Sequence, residues 1–213
     1  MISLAAFFVL SGTHAQKTGL AFRSADILIT PGVGVGPLKL GMSESAAYKV
    51  LGGDITWKNY KEEMKAFKGY GENNFSIDSI AQFILGFDSC AKYDKDLSDK
   101  MPVYSLYFED HKLNYITVTS YGKPANTVKK VVLKNGIRFY NSMASCGAKM
   151  KTKYLAVRYE GYDGDHIYYK EGLEFTYDKK QLTTIGVFKP TPNFIQKMKD
   201  KSYDLQQEFN DVE

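Results

Sequence analysis

A pattern that occurs twice limits this 213-residue chain more than any other feature. "LYFEDHKLNYITVTS", starting at Leu106, aligns with "FTYDKKQLTTIGVFK", starting at Phe175, so that Phe108 matches Tyr177, Leu113 matches Leu182, Ile116 matches Ile185 and Val118 matches Val187. Each segment alternates apolar and polar residues, breaks at a polar turn and alternates again, which is the signature of a β-hairpin. Upstream, Leu38-Lys39-Leu40-Gly41-Met42-Ser43 parallels Ile137-Arg138-Phe139-Tyr140-Asn141-Ser142. In both, a Ser able to cap a helix precedes apolar residues at helical spacing: Ala47, Val50 and Leu51 in one, Met143, Cys146 and Met150 in the other.

The helix starts lie 99 residues apart and the hairpins 69 apart, so the first copy carries 30 additional residues. A repeat of this kind defines the fold. The order of elements predicts an α+β fold of tandem helix-plus-antiparallel-sheet repeats, with the helices on one face of the sheet. The first repeat covers 29–122 with the insertion at about 54–101, the second covers 123–190, and 191–213 forms a C-terminal helix and tail, where Phe194, Ile195 and Met198 follow Pro192. Inside the insertion, Trp57, Tyr60, Met64 and Phe67 have helical spacing, 79–87 alternates like a strand, and the polar run 88–100 reads as an exposed loop.

Composition narrows the class. Hydrophobic residues at 44% and charged residues at 24% suit a globular chain, while 16 Tyr favour β structure and contact surfaces. The net charge of +4 comes from lysines scattered in pairs such as Lys129-Lys130 and Lys179-Lys180. A solvated surface explains these better than a nucleic-acid patch. At the start, the apolar run 2–10 leads to Thr13-His14-Ala15, which reads as a secretory signal peptide, 1–15, with Gln16 as the mature start, although no Lys or Arg precedes the run. The run is too short to span a bilayer, no later stretch approaches ~20 apolar residues, and no Cys follows it to take a lipid. The expected location is periplasmic or extracellular, with no membrane insertion after signal removal. In an oxidising compartment Cys90 and Cys146 either form a disulfide or stay as two separate thiols, and both readings stand.

The glycines of "ITPGVGVGPLKLGM" do not cradle a phosphate. A dinucleotide fingerprint needs a third glycine where Pro37 stands, and a strand-like run separates Gly32, Gly34 and Gly36 from the helix. No Gly-Lys-Ser/Thr follows, so a flexible lead into the first strand is expected instead. The histidines left after signal removal are His111, in a hairpin turn, and His166, after the turn residues Asp163-Gly164-Asp165. Asp163, Asp165 and His166 are the candidate set for a small hydrolase or metal-binding protein. Cys146 with His166 offers a nucleophile pair on residue type alone, and "DKDLSD" lacks the glycine and distal Glu of a calcium loop.

"GVGPLKLGMSESAAYKVLGG" resembles the recurrent "G-x-i-x-L-G-M-t-x-x-x-v-x-x-x-L-G" opening of the helix-helix-sheet modules found in BamE-like lipoproteins and, in tandem, in β-lactamase inhibitor protein-like chains. Leu38, Leu40, Gly41, Met42, Val50, Leu51 and Gly52 occupy the matching places, while the second copy has Tyr140-Asn141 where Gly-Met belongs. The resemblance implies two helical layers against one curved antiparallel sheet over about 29–190. It transfers no binding residue.

Alternation then assigns sheet faces. With Leu106, Phe108, Ile116 and Val118 turned toward the helices, Tyr107, Tyr115, Thr117, Thr119 and Tyr121 point the other way, joined by Thr176, Thr184 and Phe188. A wet face of Tyr and Thr offers contact area at low entropy cost; cross-strand pairing within the sheet, or cover by the C-terminal tail, would explain the same residues. The expected function is an exported, cofactor-free, non-enzymatic module that binds another protein through this face, as an inhibitor, immunity factor or envelope accessory. The metal or hydrolase set is the alternative, and a purely structural envelope component is a third.

Overall fold

Two glycine-free turns anchor the architecture. Asp110-His111 and Lys179-Lys180 each hold both residues at positive φ, 48° and 59° in the first and 50° and 58° in the second. Such turns twist in the sense of the strands they join, so each closes a tight hairpin. The computed structural model describes residues 27–51, 55–59, 89–93, 103–120, 131–159, 162–197 and 208–212.

In chain order the elements are β1 (Ile27–Thr30), β2 (Gly34–Val35), β3 (Leu38–Lys39), α1 (Glu44–Leu51), β4 (Ile55–Asn59), β5 (Ser89–Tyr93), β6 (Val103–Glu109), β7 (Lys112–Thr119) and β8 (Val131–Leu133), then α2 (Met143–Met150), β9 (Tyr154–Tyr159), β10 (Tyr162–Tyr168), β11 (Leu173–Asp178), β12 (Gln181–Phe188) and β13 (Glu208–Val212). A helical segment, 192–197, follows β12. Among the described residues, nine strands form one antiparallel sheet in the order β13-β9-β10-β11-β12-β7-β6-β5-β4. A second sheet, β3-β2-β1-β8, contains the parallel pair β1–β8.

The hairpins share details that alternation does not dictate. In β6–β7 the ladder pairs Glu109 with Lys112 and Phe108 with Leu113, then skips Asn114 to pair Tyr107 with Tyr115. In β11–β12 it pairs Asp178 with Gln181 and Tyr177 with Leu182, then skips Thr183 to pair Thr176 with Thr184. A bulge at the same place in each hairpin adds local twist. The segments before the helices dock alike: Gly41 N–H donates to Leu113 O (2.7 Å) and Leu113 N–H to Met42 O (2.8 Å), while Tyr140 N–H donates to Leu182 O (2.9 Å) and Leu182 N–H to Asn141 O (3.0 Å). Gly41 and Tyr140 both take positive φ, 86° and 63°. Tyr140 therefore adopts the backbone that glycine adopts in the first segment, although its side chain disfavours it.

At the centre β7 and β12 run antiparallel, with Val118 opposite Ile185, Thr117 opposite Gly186 and Ile116 opposite Val187. Leu106, Phe108, Ile116, Val118, Phe175 and Ile185 are fully buried and join Ala47, Leu51 and Cys146 of the two helices in one core. Val50, Met143 and Met150 pack at its margin. Each helix has eight residues, too few to persist alone in water. Burial against the sheet holds them.

Several expectations change. Two sheets form rather than one, because the glycine-rich lead folds into β1, β2 and β3 instead of staying flexible. At Gly34 a Cβ would lie 2.0 Å from the Leu38 carbonyl oxygen, so only glycine lets β2 and β3 turn this closely. Trp57 lies in strand β4, not in a helix, because Ile55-Thr56-Trp57 pairs with β5, and β-branched and aromatic residues favour that pairing. The polar run at 88–100 begins with strand β5, since backbone pairing with β6 outweighs its composition. The signal peptide at 1–15, the helix expected over 60–67, the strand at 79–87 and Tyr121 lie outside the described residues. No helix among the described residues is long and apolar enough to cross a membrane.

The helix starts supply a direct test. Ser142 Oγ accepts from Ser145 N–H (3.2 Å) and Ser43 Oγ from Ala46 N–H (3.3 Å). Each Ser→Ala change should lower unfolding free energy by about 1 kcal/mol in urea titrations, and a loss below ~0.3 kcal/mol would refute the capping role.

Candidate functional site

On the side of the sheet away from α1 and α2, aromatic and carboxylate side chains gather around a glycine. Gly186 sits in β12 between Thr117 of β7 and Glu174 of β11. With no Cβ there, the Tyr115 ring crosses over β12 and its hydroxyl donates a short hydrogen bond to Glu174 Oε2. A Cβ at position 186 would meet Tyr115 Oη at 2.6 Å and Cε2 at 2.8 Å. Gly inside an otherwise β-branched strand is the sequence signal for such an approach. Burial, followed by the Glu174 charge, raises the Tyr115 pKa well above its ordinary value, so the phenol stays a proton donor at neutral pH.

The residues expected on this face divide into two groups. Tyr115 is 5% exposed and Phe188 fully buried, which corrects the expectation that both are wet. The cause is the segment after β12: Phe194 stacks on Phe188 with ring centroids 5.0 Å apart and lies 6.2 Å from Tyr115. Tyr107 stacks on Tyr115 at 5.2 Å and is half-buried. Thr117, Thr119, Thr176 and Thr184 are likewise half-buried, and Thr119 and Thr184 share a hydroxyl hydrogen bond of 3.0 Å across the central seam. A strip of Tyr107 and four threonines thus remains partly accessible beside a covered aromatic end. Glu174, Gly186 and Phe194 were missed from the sequence, where a lone Glu in "LEFTYD" and a lone Gly in "TTIGVF" were the available signals.

Asp163, Asp165 and His166 do not converge, which corrects the alternative reading. Asp163 Oδ2 accepts a short bond from Lys180 N–H in the hairpin turn. Asp165 and His166 are consecutive in β10, so their side chains leave opposite faces of the sheet. His166 turns to the helix side, stacked on Tyr154 at 4.1 Å and edge-on to Tyr177 at 4.9 Å. No group of three His, Cys, Asp or Glu among the described residues could hold a metal ion. Cys146 is a free, fully buried thiol, so the Cys90–Cys146 disulfide is not made here; the Cys90 side chain lies outside the described residues. The Cys146 thiol sits beside the Tyr177 hydroxyl, and burial raises its pKa. Tyr177, also fully buried, touches both Cys146 and His166, and burial favours the neutral thiol over the nucleophilic thiolate.

Two measurements test this geometry. Gly186→Ala should cost about 2 kcal/mol by forcing Tyr115 off Glu174, and most of that cost should vanish in a Tyr115→Ala background; equal costs in both backgrounds would remove Tyr115 as the cause. Burial lowers the His166 pKa from 6.5 to about 4, so between those values the unfolded chain binds a proton that the folded chain does not. Stability present above pH 6.5 should fall as pH drops to about 4, by up to about 3 kcal/mol. His166→Leu should flatten that slope in urea midpoints measured across the range, and an unchanged slope would assign it elsewhere. No protein-family model, curated protein or solved structure matches this chain.

Proposed function

We propose that this chain is a non-enzymatic, exported protein-binding module built from two tandem copies of one helix-plus-hairpin unit. Support for the duplication comes from matching turns, matching bulges and the matching docking of Gly41 and Tyr140. The outer strands agree, since Trp57 opposite Ala91 in β4–β5 has its counterpart in Ala156 opposite His166 in β9–β10. Trp57 and Ala156 are again 99 residues apart, so the additional residues of the first copy fall after β4 and before β6. The BamE-like and β-lactamase inhibitor-like resemblance, with its tandem modules on a curved sheet, is consistent with this arrangement. The apolar start of the sequence supports export to the periplasm or outside the cell.

The observation that carries the binding role is the half-buried strip of Tyr107, Thr117, Thr119, Thr176 and Thr184, which spans β6, β7, β12 and β11 on the face away from α1 and α2. Hydroxyl side chains on paired strands give a partner a surface with little entropy left to lose. Tyr115 and Phe188, which the sequence places in the same surface, support the strip from beneath the chain's own C-terminal segment. The catalytic alternative loses ground because its three residues part across two sheet faces.

A photocrosslinking amino acid at Thr117 or Thr184 should capture one and the same protein from the native envelope fraction, with no adduct from the exposed Lys153. Silence at both strip positions, or an identical adduct from Lys153, would end the binding proposal.

A further inference from the structure

Residues 192–197 lie on the sheet as a ligand lies on a receptor. Two polar pairs beneath them lie within the sheet itself: Tyr115 donates to Glu174, and Asn114 Nδ2 donates to Glu109 Oε2 at 2.8 Å. Phe194 and Lys197 are among the side chains that anchor the segment. Phe194 stacks on Phe188 at 5.0 Å, and Lys197 Nζ reaches Glu109 Oε1 at 3.3 Å in a pair whose side chains are 29% and 33% exposed. The pair is half-buried, so solvent screens part of its attraction. A cleft of about 70 Å³ opens beside the segment, lined by Glu109, Asn114, Lys189, Asn193, Phe194 and Lys197. A surface whose polar pairs lie largely within the sheet, beneath a short covering segment with a cleft beside it, is preorganised to take another segment.

We infer that Tyr115, Phe188 and Glu109 form a peptide-recognition site which the chain fills with its own residues 192–197, and that the external ligand is a protein segment carrying an aromatic residue and, three positions later, a basic one. The aromatic ring fits the Phe188 and Tyr115 rings, and the cation fits the Glu109 carboxylate. This goes beyond the binding strip proposed above. Loss of the Thr117 and Thr184 crosslinks would leave it standing, and its own failure would leave the strip standing.

The test uses the full chain and a fluorescein-labelled peptide with the sequence of residues 190–200, PTPNFIQKMKD. In anisotropy titrations the Phe194→Ala/Lys197→Ala double variant, whose own cover is weakened, should bind this peptide at least tenfold more tightly than the wild-type chain. A peptide with its Phe replaced by Ala should not bind, and adding Glu109→Lys to the double variant should weaken binding at least fivefold. No binding, or equal binding of a scrambled peptide, overturns the inference. A wild-type dimer in sedimentation that the double variant dissolves would make a second copy the occupant, and would overturn it as stated. Should the double variant fail to fold, amide exchange on the wild-type chain decides. The Phe194 N–H, held by Thr191 Oγ at 3.3 Å, should exchange at least a hundredfold faster than the Phe188 N–H, held by Gly172 O at 3.0 Å; equal protection makes the segment part of the permanent fold.

Discussion

The antiparallel seam between β7 and β12 is the constraint on which the rest of the structure depends. With Val118 opposite Ile185 and Ile116 opposite Val187, four β-branched side chains turn to one side and draw both short helices onto it. The same ladder turns Tyr115, Thr117, Thr119 and Thr184 to the other side. A one-residue slip would exchange the two faces and place the core side chains in water. The two bulges, at Asn114 and Thr183, keep the pattern in phase where each hairpin meets its turn.

Polar groups on the two faces meet different conditions. On the side away from α1 and α2, Glu174 keeps its place because Tyr115 reaches it over Gly186. Taking a carboxylate out of water costs several kcal/mol without such a partner. On the helix side, His166 lies between Tyr154 and Tyr177, and burial holds it neutral over the physiological range. One arrangement ties three strands together on a surface; the other places a titrating group inside the core. Adjacent residues of β10, Asp165 and His166, belong to these two different environments.

Much of the fold was legible because alternation is a local signal. The paired hairpins, the capped helices with Ala47, Leu51 and Cys146 inward, and the face carrying Tyr107, Thr117 and Thr119 follow from residue spacing. Trp57 was misread because four apolar residues at helical intervals cannot reveal that the first of them pairs with β5. The run beginning at Ser89 was misread because a strand's polar composition does not show that its backbone is held on both sides. The covering of Tyr115 and Phe188 was hidden as well, since contact between Phe194 and β7 joins residues about 80 apart in sequence.

The sequence by itself determined the two hairpins, the apolar sides of α1 and α2, and the failure of the glycine-rich start to meet phosphate-loop spacing, because each depends on neighbours within a few residues. Only the tertiary structure decided that β7 pairs with β12, that Asp163 is held by the Lys179-Lys180 turn, and that residues 192–197 occupy the aromatic end of the outer face. Those outcomes depend on which distant surfaces meet, and burial energy summed over the whole chain selects them, not the pattern of any one segment.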